Sequence, residues 1–556
     1  MSNFGQTKTI IMRLLYFLIF ASIFYSCSTK EEVDLIIQNA RIYSVDSNFN
    51  IYAALAVKNN KIVSIGSTQE IRSKYAAAEV HDLDEAVVFP GFIDAHCHFY
   101  GYGLAQEKYC DLSETESFDE VIAKVREHRS QNLDQTWILG RGWDQNDWDI
   151  QAFPVNQKLN ELFPDIPVLL IRIDGHAALV NDKALNIAGF NIETEIKGGE
   201  IISKEGKLTG VLLDNAADIL KALAPKPNDD LIQKSILRAQ SDCFEVGLTA
   251  VVDAGLPFHL VRKIDQMQKQ GILKMRMNIM LSPSKDNFEH YVNNGIYKTD
   301  RLIINSVKLY ADGALGSRGA CLLKPYSDDI HNHGFLIEDP AYYDSICKIL
   351  YNAGYQVNTH AIGDSAVRMV LKTYAKYLQG NNDRRWRIEH AQVVSPSDFH
   401  FFGENAIIPA VNTTHATSDM YWADERLGDE RIKTAYAYHQ LLEQNNWLIN
   451  GSDFPIESIN PLYGFYAAVV RKDQNDWPEE GFQLKNSLSR EEALKAMTIW
   501  AAKGSFVEHD RGSLEAGKYA DFVVLDRDIM EVPESELYKV KVMFTYIDGQ
   551  IVFQRD

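Results

Sequence analysis

The chain has 556 residues, of which 46% are hydrophobic and 24% are charged, and its formal net charge is -20. These proportions are typical of globular proteins and exclude a disordered chain or a protein with many membrane-spanning helices. The length is sufficient for one large domain with a smaller one attached to it. A strongly negative chain without a lysine- or arginine-rich block repels polyanions, so we expect no nucleic-acid partner.

The first 27 residues resemble an export signal. Lys8 and Arg13 precede an apolar run at residues 14–25, which is shorter than a membrane-spanning helix. Ser26 and Cys27 follow, and a small residue directly before a cysteine resembles the processing site of bacterial lipoproteins. We therefore expect an exported lipoprotein of the bacterial cell envelope, in the periplasm or outer membrane, that contacts the membrane only through lipid on Cys27. A plain cleaved signal or a short apolar anchor is the alternative.

Short strands separated by turn residues are predicted at both ends of the remaining chain. Apolar runs recur between residues 34 and 66, and a similar pattern returns between residues 520 and 553. We expect the two ends, residues 33–88 and 505–556, to combine into one small β-sandwich.

Between these ends, residues 89–504 contain eight apolar runs of strand length with helical segments in the gaps. The runs end near residues 98, 253, 280, 312, 360, 390, 411 and 453. Alternating strands and helices form a parallel sheet, and eight such units are typical of a (β/α)8 TIM barrel, so the predicted fold class is α/β. Residues 99–246 are too long for one unit and are expected to form a large insertion after the first strand, over the barrel mouth.

The first of these runs ends in His96-Cys97-His98. In a strand this spacing places both imidazoles on one face and Cys97 on the other. Two neutral imidazoles at the end of a buried strand suit a divalent transition metal, typically zinc. Hydrogen-bonded core histidines are the alternative for so short a motif.

Polar side chains recur at the ends of the later runs. Lys308 lies in the fourth run, His360 ends the fifth, His390 ends the sixth and Asp453 ends the eighth. In a parallel barrel these ends surround one mouth, where barrel enzymes carry their chemistry. Four histidines, one lysine and one aspartate around one mouth are the ligands that a hydrolytic centre with one or two metal ions requires.

A set of motifs in chain order carries a family resemblance. The motifs are PGFIDAHCH at residues 90–98, VKLYADG at 307–313, THAIGD at 359–364, RIEHA at 387–391, THATSD at 414–419, GSD at 451–453 and GSLEAGKYAD at 512–521. This order resembles the metal-dependent amidohydrolase superfamily. More narrowly, it is similar to amidohydrolase family 3, the branch that resembles N-substituted formamide deformylases.

The resemblance implies a hydrolase that cleaves a non-peptide carbon–nitrogen bond of a small molecule with one or two divalent metal ions, zinc in the first place. The implied metal ligands are His96, His98, Lys308, His360, His390 and Asp453. Of these, Asp453, Lys308 and His390 are the expected catalytic residues, with Asp453 as proton shuttle. A free ammonium beside dications is unfavourable, so Lys308 is expected to be carboxylated or neutral.

Substrate contacts are expected from the insertion and from the strand ends of the barrel. The candidates are Trp143, Asp144, Asp174, His176, Asp312 and His415. Of these, His176 and His415 are the expected donors to the oxyanion that forms when water attacks a carbonyl carbon. In the seventh run Asn412-Thr413 replaces the Gln-Pro that the family commonly has, so the substrate preference of family members does not transfer.

Two alternatives stay open on the sequence alone. The same barrel can act on an ester, a lactone or a phosphoester, because activation of hydroxide does not fix the leaving group. A lipid-anchored binding protein that has lost turnover is an alternative from another class. The oligomeric state is also open, a homodimer included.

Overall fold

The computed structural model describes residues 30–380 and 382–556. The predicted export signal, including Cys27, lies outside the described residues. Within the described part of the chain, no helix is both long enough and apolar enough to cross a membrane.

Eight parallel strands form the central sheet. In chain order, barrel strands one to eight are Phe92–Cys97, Leu248–Leu256, Arg276–Leu281, Leu302–Tyr310, Gln356–Ala361, Arg387–His390, Ile408–Val411 and Ile449–Asn450. The short strand Tyr297–Lys298 pairs antiparallel with strand four. The backbone nitrogen of Asp453 donates to the carbonyl oxygen of His96 at 2.8 Å and so joins the two ends of the sheet. The predicted (β/α)8 barrel is therefore confirmed.

Helices follow the barrel strands, and one of them, His415–Ser418, lies at the barrel mouth. The helices of the barrel, outside the insertion, are Asp229–Glu245, Phe258–Lys269, Lys285–His290, Pro340–Ala353, Asp364–Ala375, His400–Glu404, His415–Ser418, Ala423–Arg431, Tyr438–Asn445, Pro461–Val470, Arg490–Ala496 and Ile499–Gly504. Single 3-10 segments are Gln145–Asp147, Val292–Asn294, Asp419–Tyr421, Ile432–Thr434, Leu484–Asn486 and Glu534–Lys539. In helix Asp364–Ala375 the buried residues Val367, Val370 and Leu371 recur at helical spacing and form its inner face.

The apolar run that ends in the two histidines is divided between two sheets. Val87–Pro90 pairs with Phe522–Leu525 in the small sandwich, whereas Phe92–Cys97 is barrel strand one. The division occurs at Gly91, where a Cβ atom would lie 2.2 Å from Thr249 Oγ1. Only glycine allows this close approach, so the chain passes from one sheet to the other at this position.

Two sheets form the small sandwich. One contains Glu31–Gln38, Ala54–Lys58, Lys61–Gly66 and Tyr75–Asp82, and the other contains Arg41–Tyr43, Ile51–Tyr52, Val87–Pro90, Phe522–Leu525, Val542–Ile547 and Gln550–Gln554. Helix Thr68–Lys74 precedes the last strand of the first sheet. Leu35, Val88 and Phe522, from both ends of the chain, share one buried apolar cluster. The two ends therefore fold together, as predicted.

The insertion between barrel strands one and two has a sheet of its own. Its strands are Cys110–Asp111, Ile138–Trp143, Val168–Arg172, Ala177–Val180, Gly199–Lys204 and Lys207–Asp214. Its helices are Phe99–Lys108, Phe118–Gln131, Gln157–Leu162, Asp182–Ala188 and Asn215–Leu223. Two separate apolar clusters include residues of this sheet, so the insertion has its own core. This confirms the large insertion after strand one, although its own elements end at Leu223, because helix Asp229–Glu245 belongs to the barrel.

Candidate metal centre

The residues predicted to bind metal lie together at the carboxyl ends of the barrel strands. The ring centroids of His96 and His390 are 5.0 Å apart, and those of His360 and His390 are 4.6 Å apart. These three side chains are buried, and His98 is partly exposed, with 29% of its side chain accessible. Residues from strands one, five and six thus meet because parallel strands present their carboxyl ends at one mouth.

Asp453 lies among these imidazoles. Its Oδ1 atom is 3.3 Å from His98 Nε2 and 3.4 Å from His96 Nε2, and its Oδ2 atom is 3.6 Å from His415 Nε2. Burial alone raises the pKa of Asp453, but the contacts with His415 and His98 lower that pKa well below its usual range. Oδ1 is buried and has no hydrogen-bond partner among the described residues. A buried carboxylate oxygen without a donor, facing imidazole nitrogens, fits a divalent metal ion.

Hydrogen bonds behind the histidines determine which ring nitrogen faces the centre. His96 Nδ1 contacts the Glu389 carboxylate, and His390 Nδ1 lies 2.9 Å from Asn412 Oδ1, so Nε2 of each ring is left for a metal ion. In His360 the other nitrogen is occupied, because Nε2 lies 3.4 Å from the carbonyl oxygen of Gly313. Nδ1 of His360 is therefore left for a metal ion. Such outer contacts are the usual means of orienting metal-binding imidazoles.

Lys308 reaches the same centre from barrel strand four. Its Nζ atom is 3.1 Å from His96 Nε2 and 4.7 Å from the ring centroid of Tyr310. No carboxylate oxygen of the described residues lies within 4.0 Å of this nitrogen. Burial lowers the pKa of Lys308 to about 8, so an appreciable fraction of the amine is neutral near physiological pH.

The donor atoms form two groups that share Asp453. One group contains His96, His98 and Asp453, and the other contains His390, His415 and Asp453, with all donor atoms of a group within 4.8 Å of one another. The second group brings in His415, which the sequence analysis placed with the substrate. The structure therefore offers ligands on both sides of the same carboxylate.

Residues 79–553 match the sequence model of the amidohydrolase family. The chain belongs to the amidohydrolase family. It is 31% identical to the putative amidohydrolase YtcJ of Bacillus subtilis (strain 168), with 92% of this chain and 98% of that protein aligned. It is 27% identical to the N-substituted formamide deformylase of Arthrobacter pascens, with 94% of this chain and 98% of that protein aligned.

Among solved structures, an uncharacterized metal-dependent hydrolase from Pyrococcus horikoshii OT3 superposes with a TM-score of 0.74. The two chains are 27% identical, and the match covers 90% of this chain and 99% of the other. This amidohydrolase is therefore a hydrolase of the metal-dependent kind, and its histidine and aspartate groups are suited to binding the metal.

A cavity of about 160 Å³ opens onto the metal centre of the amidohydrolase. Asp144, Asp174 and His176 of the insertion line it, together with His415 from the barrel. The structure thus brings these four predicted substrate residues to the site.

His176 is held by Asp214 at the edge of this cavity. Its Nδ1 atom lies 2.6 Å from Asp214 Oδ1, and its ring centroid lies 5.0 Å from that of His360. Although burial lowers the pKa of His176, the contact with Asp214 outweighs it and raises that pKa. Nδ1 is thus occupied by Asp214 and Nε2 is left for a ligand, to which the protonated ring can donate a hydrogen bond.

Trp143 is not a pocket residue, which corrects one expectation. Its indole is buried in the core of the insertion, where Nε1 donates to the carbonyl oxygen of Leu170 at 2.8 Å. The ladder with the neighbouring strand slips between Arg141 and Trp143, at Gly142 with φ of 112°. This bulge turns Trp143 into the core, whereas the sequence pattern alone suggested the pocket.

A second correction concerns Asp312, which was also expected to contact the substrate. Its carboxylate accepts hydrogen bonds from the backbone nitrogens of Cys321 and Gly363 at 2.8 Å and of Ile362 at 3.0 Å. The side chain is fully buried and does not line the cavity, so it shapes the loops beside His360 and does not contact a substrate there.

The sequence analysis missed residues that support the site from behind. Arg172 is buried and pairs with both Asp144 and Asp174, at 2.7 Å in the latter case. Glu457 lies 2.9 Å from Nδ1 of His415. Arg172 stands two residues before Asp174 and offered a signal, whereas Glu457 lies in the loop after Asp453 and offered none.

Proposed function

We propose that this amidohydrolase cleaves a non-peptide carbon–nitrogen bond, of the amide or formamide kind, in a small molecule. The observation that carries the proposal is Asp453 Oδ1, a buried carboxylate oxygen without a donor that lies between His96 and His98. The similarity to a protein named N-substituted formamide deformylase supports the choice of bond.

The residues that would hold the metal come from five barrel strands. They are His96, His98, Lys308, His360, His390 and Asp453, with His415 beside them. We propose zinc, in one or two positions, because imidazole and carboxylate donors suit it. When bound, such an ion lowers the pKa of water and polarises a carbonyl oxygen.

In the proposed reaction Asp453 transfers the proton from the attacking water to the leaving group. Its carboxylate accepts the proton of the attacking water and returns it to the nitrogen that leaves when the carbon–nitrogen bond breaks. In its protonated form, His176, which Asp214 holds through Nδ1, donates a hydrogen bond from Nε2 to the oxygen of the tetrahedral intermediate. Asp453 thus acts first as base and then as acid.

We further propose that Lys308 carries a carbamate. The neutral amine adds to carbon dioxide, a bond forms between Nζ and the carbon, and one proton is released. The product is an anion in place of a cation, which suits the position of Nζ near His96 in the absence of a nearby carboxylate. Mass spectrometry of the native protein at alkaline pH in bicarbonate tests this addition.

The test of the proposed function is Asp453→Asn, assayed on a panel of formamides and N-acyl amines. The variant should keep its fold and its metal and lose turnover by at least about a hundredfold. Asp134→Asn, on the exposed surface of the insertion, is the matched control and should keep full activity. Hydrolysis of esters, lactones or phosphoesters but of no amide would contradict the proposed bond, and full activity of Asp453→Asn would contradict the proton-transfer role.

For the chain as a whole we propose export and anchoring through lipid on Cys27. A serine following the apolar run at residues 14–25 and directly preceding this cysteine supports it. Metabolic labelling with palmitate should mark the wild-type chain and not Cys27→Ser. Labelling of both chains, or of neither, would contradict the anchor.

A further inference from the structure

A second cavity, of about 470 Å³, adjoins the first at His176. His176, Asp174 and Ile456 line both cavities, and His98 of the metal centre lines the second one. Its size is within the range of pockets that hold small ligands. A substrate whose scissile bond lies at the metal centre can therefore extend into it.

Arg141 is the unusual residue of this cavity. It lies in the strand Ile138–Trp143 of the insertion, between Gly140 and Gly142. Its Nη2 atom donates to the carbonyl oxygen of Ile173 at 2.9 Å. Its Nε atom is buried without a partner, and Nη1 makes no hydrogen bond with any described residue. Two edges of the guanidinium are thus left without an acceptor.

The carboxylates that line the cavity already have other partners. Asp174 pairs with Arg172 at 2.7 Å, and Asp214 pairs with His176 at 2.6 Å. Lys221 pairs with Asp218 at 2.8 Å. Among the described residues, no carboxylate oxygen lies within 4.0 Å of the Arg141 guanidinium.

An unpaired, partly buried cation is costly, since the charge loses water without gaining an anion. Arg172 in the same insertion shows the contrast, because two carboxylates surround its guanidinium. A guanidinium with free donors matches a planar carboxylate through paired hydrogen bonds. Asp174, Asp214 and Asp218 line the same cavity, and their charges disfavour a dianion such as a phosphate monoester.

We propose that Arg141 binds a carboxylate of the substrate in this cavity, so that the substrate is an N-acylated compound with a free acid, such as an N-formyl or N-acetyl amino acid. This inference rests on the proposed function, because it places the scissile bond at the metal centre. Arg141 is then a specificity residue that contacts the acid and takes no part in the proton transfer.

The test measures by calorimetry the affinity of the metal-loaded Asp453→Asn chain for N-formyl and N-acetyl amino acids. Both the L and the D configuration of each acid are used. Each acid is compared with its carboxamide, which has the same shape and no charge. The acids should bind at least about tenfold more tightly than the carboxamides. Arg141→Met should remove this difference and leave carboxamide binding unchanged.

Two further variants keep the result interpretable. Arg129→Met removes an arginine of the same insertion that does not line the cavity, and it should retain the preference for acids. Arg141→Lys keeps the charge without the planar fork and should retain part of the preference. The melting temperature of each variant shows whether it is folded.

Equal binding of acids and carboxamides to the Asp453→Asn chain would overturn the inference, as would binding of neither. A preference that survives Arg141→Met would overturn it as well. Hydrolysis of neutral formamides without a preference for acids would contradict this inference alone. Conversely, a preference for acids in a wild-type chain that hydrolyses no amide would contradict the proposed function alone.

Discussion

Asn412 Oδ1 lies 2.9 Å from Nδ1 of His390, and Asn412 Nδ2 donates to the carbonyl oxygen of Gly451 at 3.0 Å. The amide thus connects a predicted metal ligand on strand six to the loop that leads to Asp453. Because it holds the ring of His390 from behind, Asn412 determines which nitrogen faces the metal centre.

We predict that Asn412→Ala weakens metal binding by about 10–100-fold, since the ring of His390 loses its orientation. Asn412→Asp keeps an acceptor at the same place and should bind metal nearly as well as the wild type. Competition with a chelator measures both affinities, and Asn191→Ala on the exposed surface of the insertion is the control. An unchanged affinity of the alanine variant would show that His390 needs no such support.

We predict that removing the charge of Arg172, which pairs with two buried carboxylates, causes a large loss of stability. Arg172→Met leaves Asp144 and Asp174 without their buried cation, so we expect the free energy of unfolding to fall by about 3–5 kcal/mol. Lys197→Met is the matched control, because Lys197 also contacts two carboxylates but is exposed. Chemical denaturation should show no measurable effect of the control. Similar midpoints for the two variants would refute the importance of the buried cluster.

We predict that Asp253, in barrel strand two, makes the stability of the folded chain depend on pH. Burial raises its pKa to about 7, although backbone N–H groups of Tyr100 and Phe99 act in the opposite direction. The folded chain then holds a proton that the unfolded chain has lost, so stability decreases as the pH rises from about 4 to about 7. Asp253→Asn should be less sensitive to pH over this interval.

The measurement is the denaturation midpoint of both chains at several pH values. The difference between the two should grow with pH and level off above about 7, because the asparagine carries no proton to lose. Asp265→Asn, on the helix Phe258–Lys269 near the surface, is the control and should follow the wild type. Parallel profiles for Asp253→Asn and the wild type would contradict the raised pKa.

The positions of the metal-binding candidates could be predicted because the barrel places strand ends together. Once His96, His360 and Asp453 are assigned to the ends of parallel strands, their convergence follows from the fold without any knowledge of side-chain contacts. The insertion could be predicted because residues 99–246 are too many for one strand–helix unit. The sandwich could be predicted from the strand pattern at the two ends of the chain.

The orientation of side chains could not be read from the same pattern. A bulge at Gly142 turns Trp143 into the core of the insertion, and three backbone N–H groups occupy the Asp312 carboxylate. Pairs such as Asn412 with His390 join residues that are far apart in the sequence, so local periodicity gives no sign of them.

The most direct test of the metal-dependent site is the metal content of the purified chain, measured together with amide hydrolysis. We predict about one or two equivalents of zinc or a similar ion per chain, loss of hydrolysis with a chelator, and recovery when the ion is restored. Retention of no metal after reconstitution, or hydrolysis that persists without metal, would contradict the account.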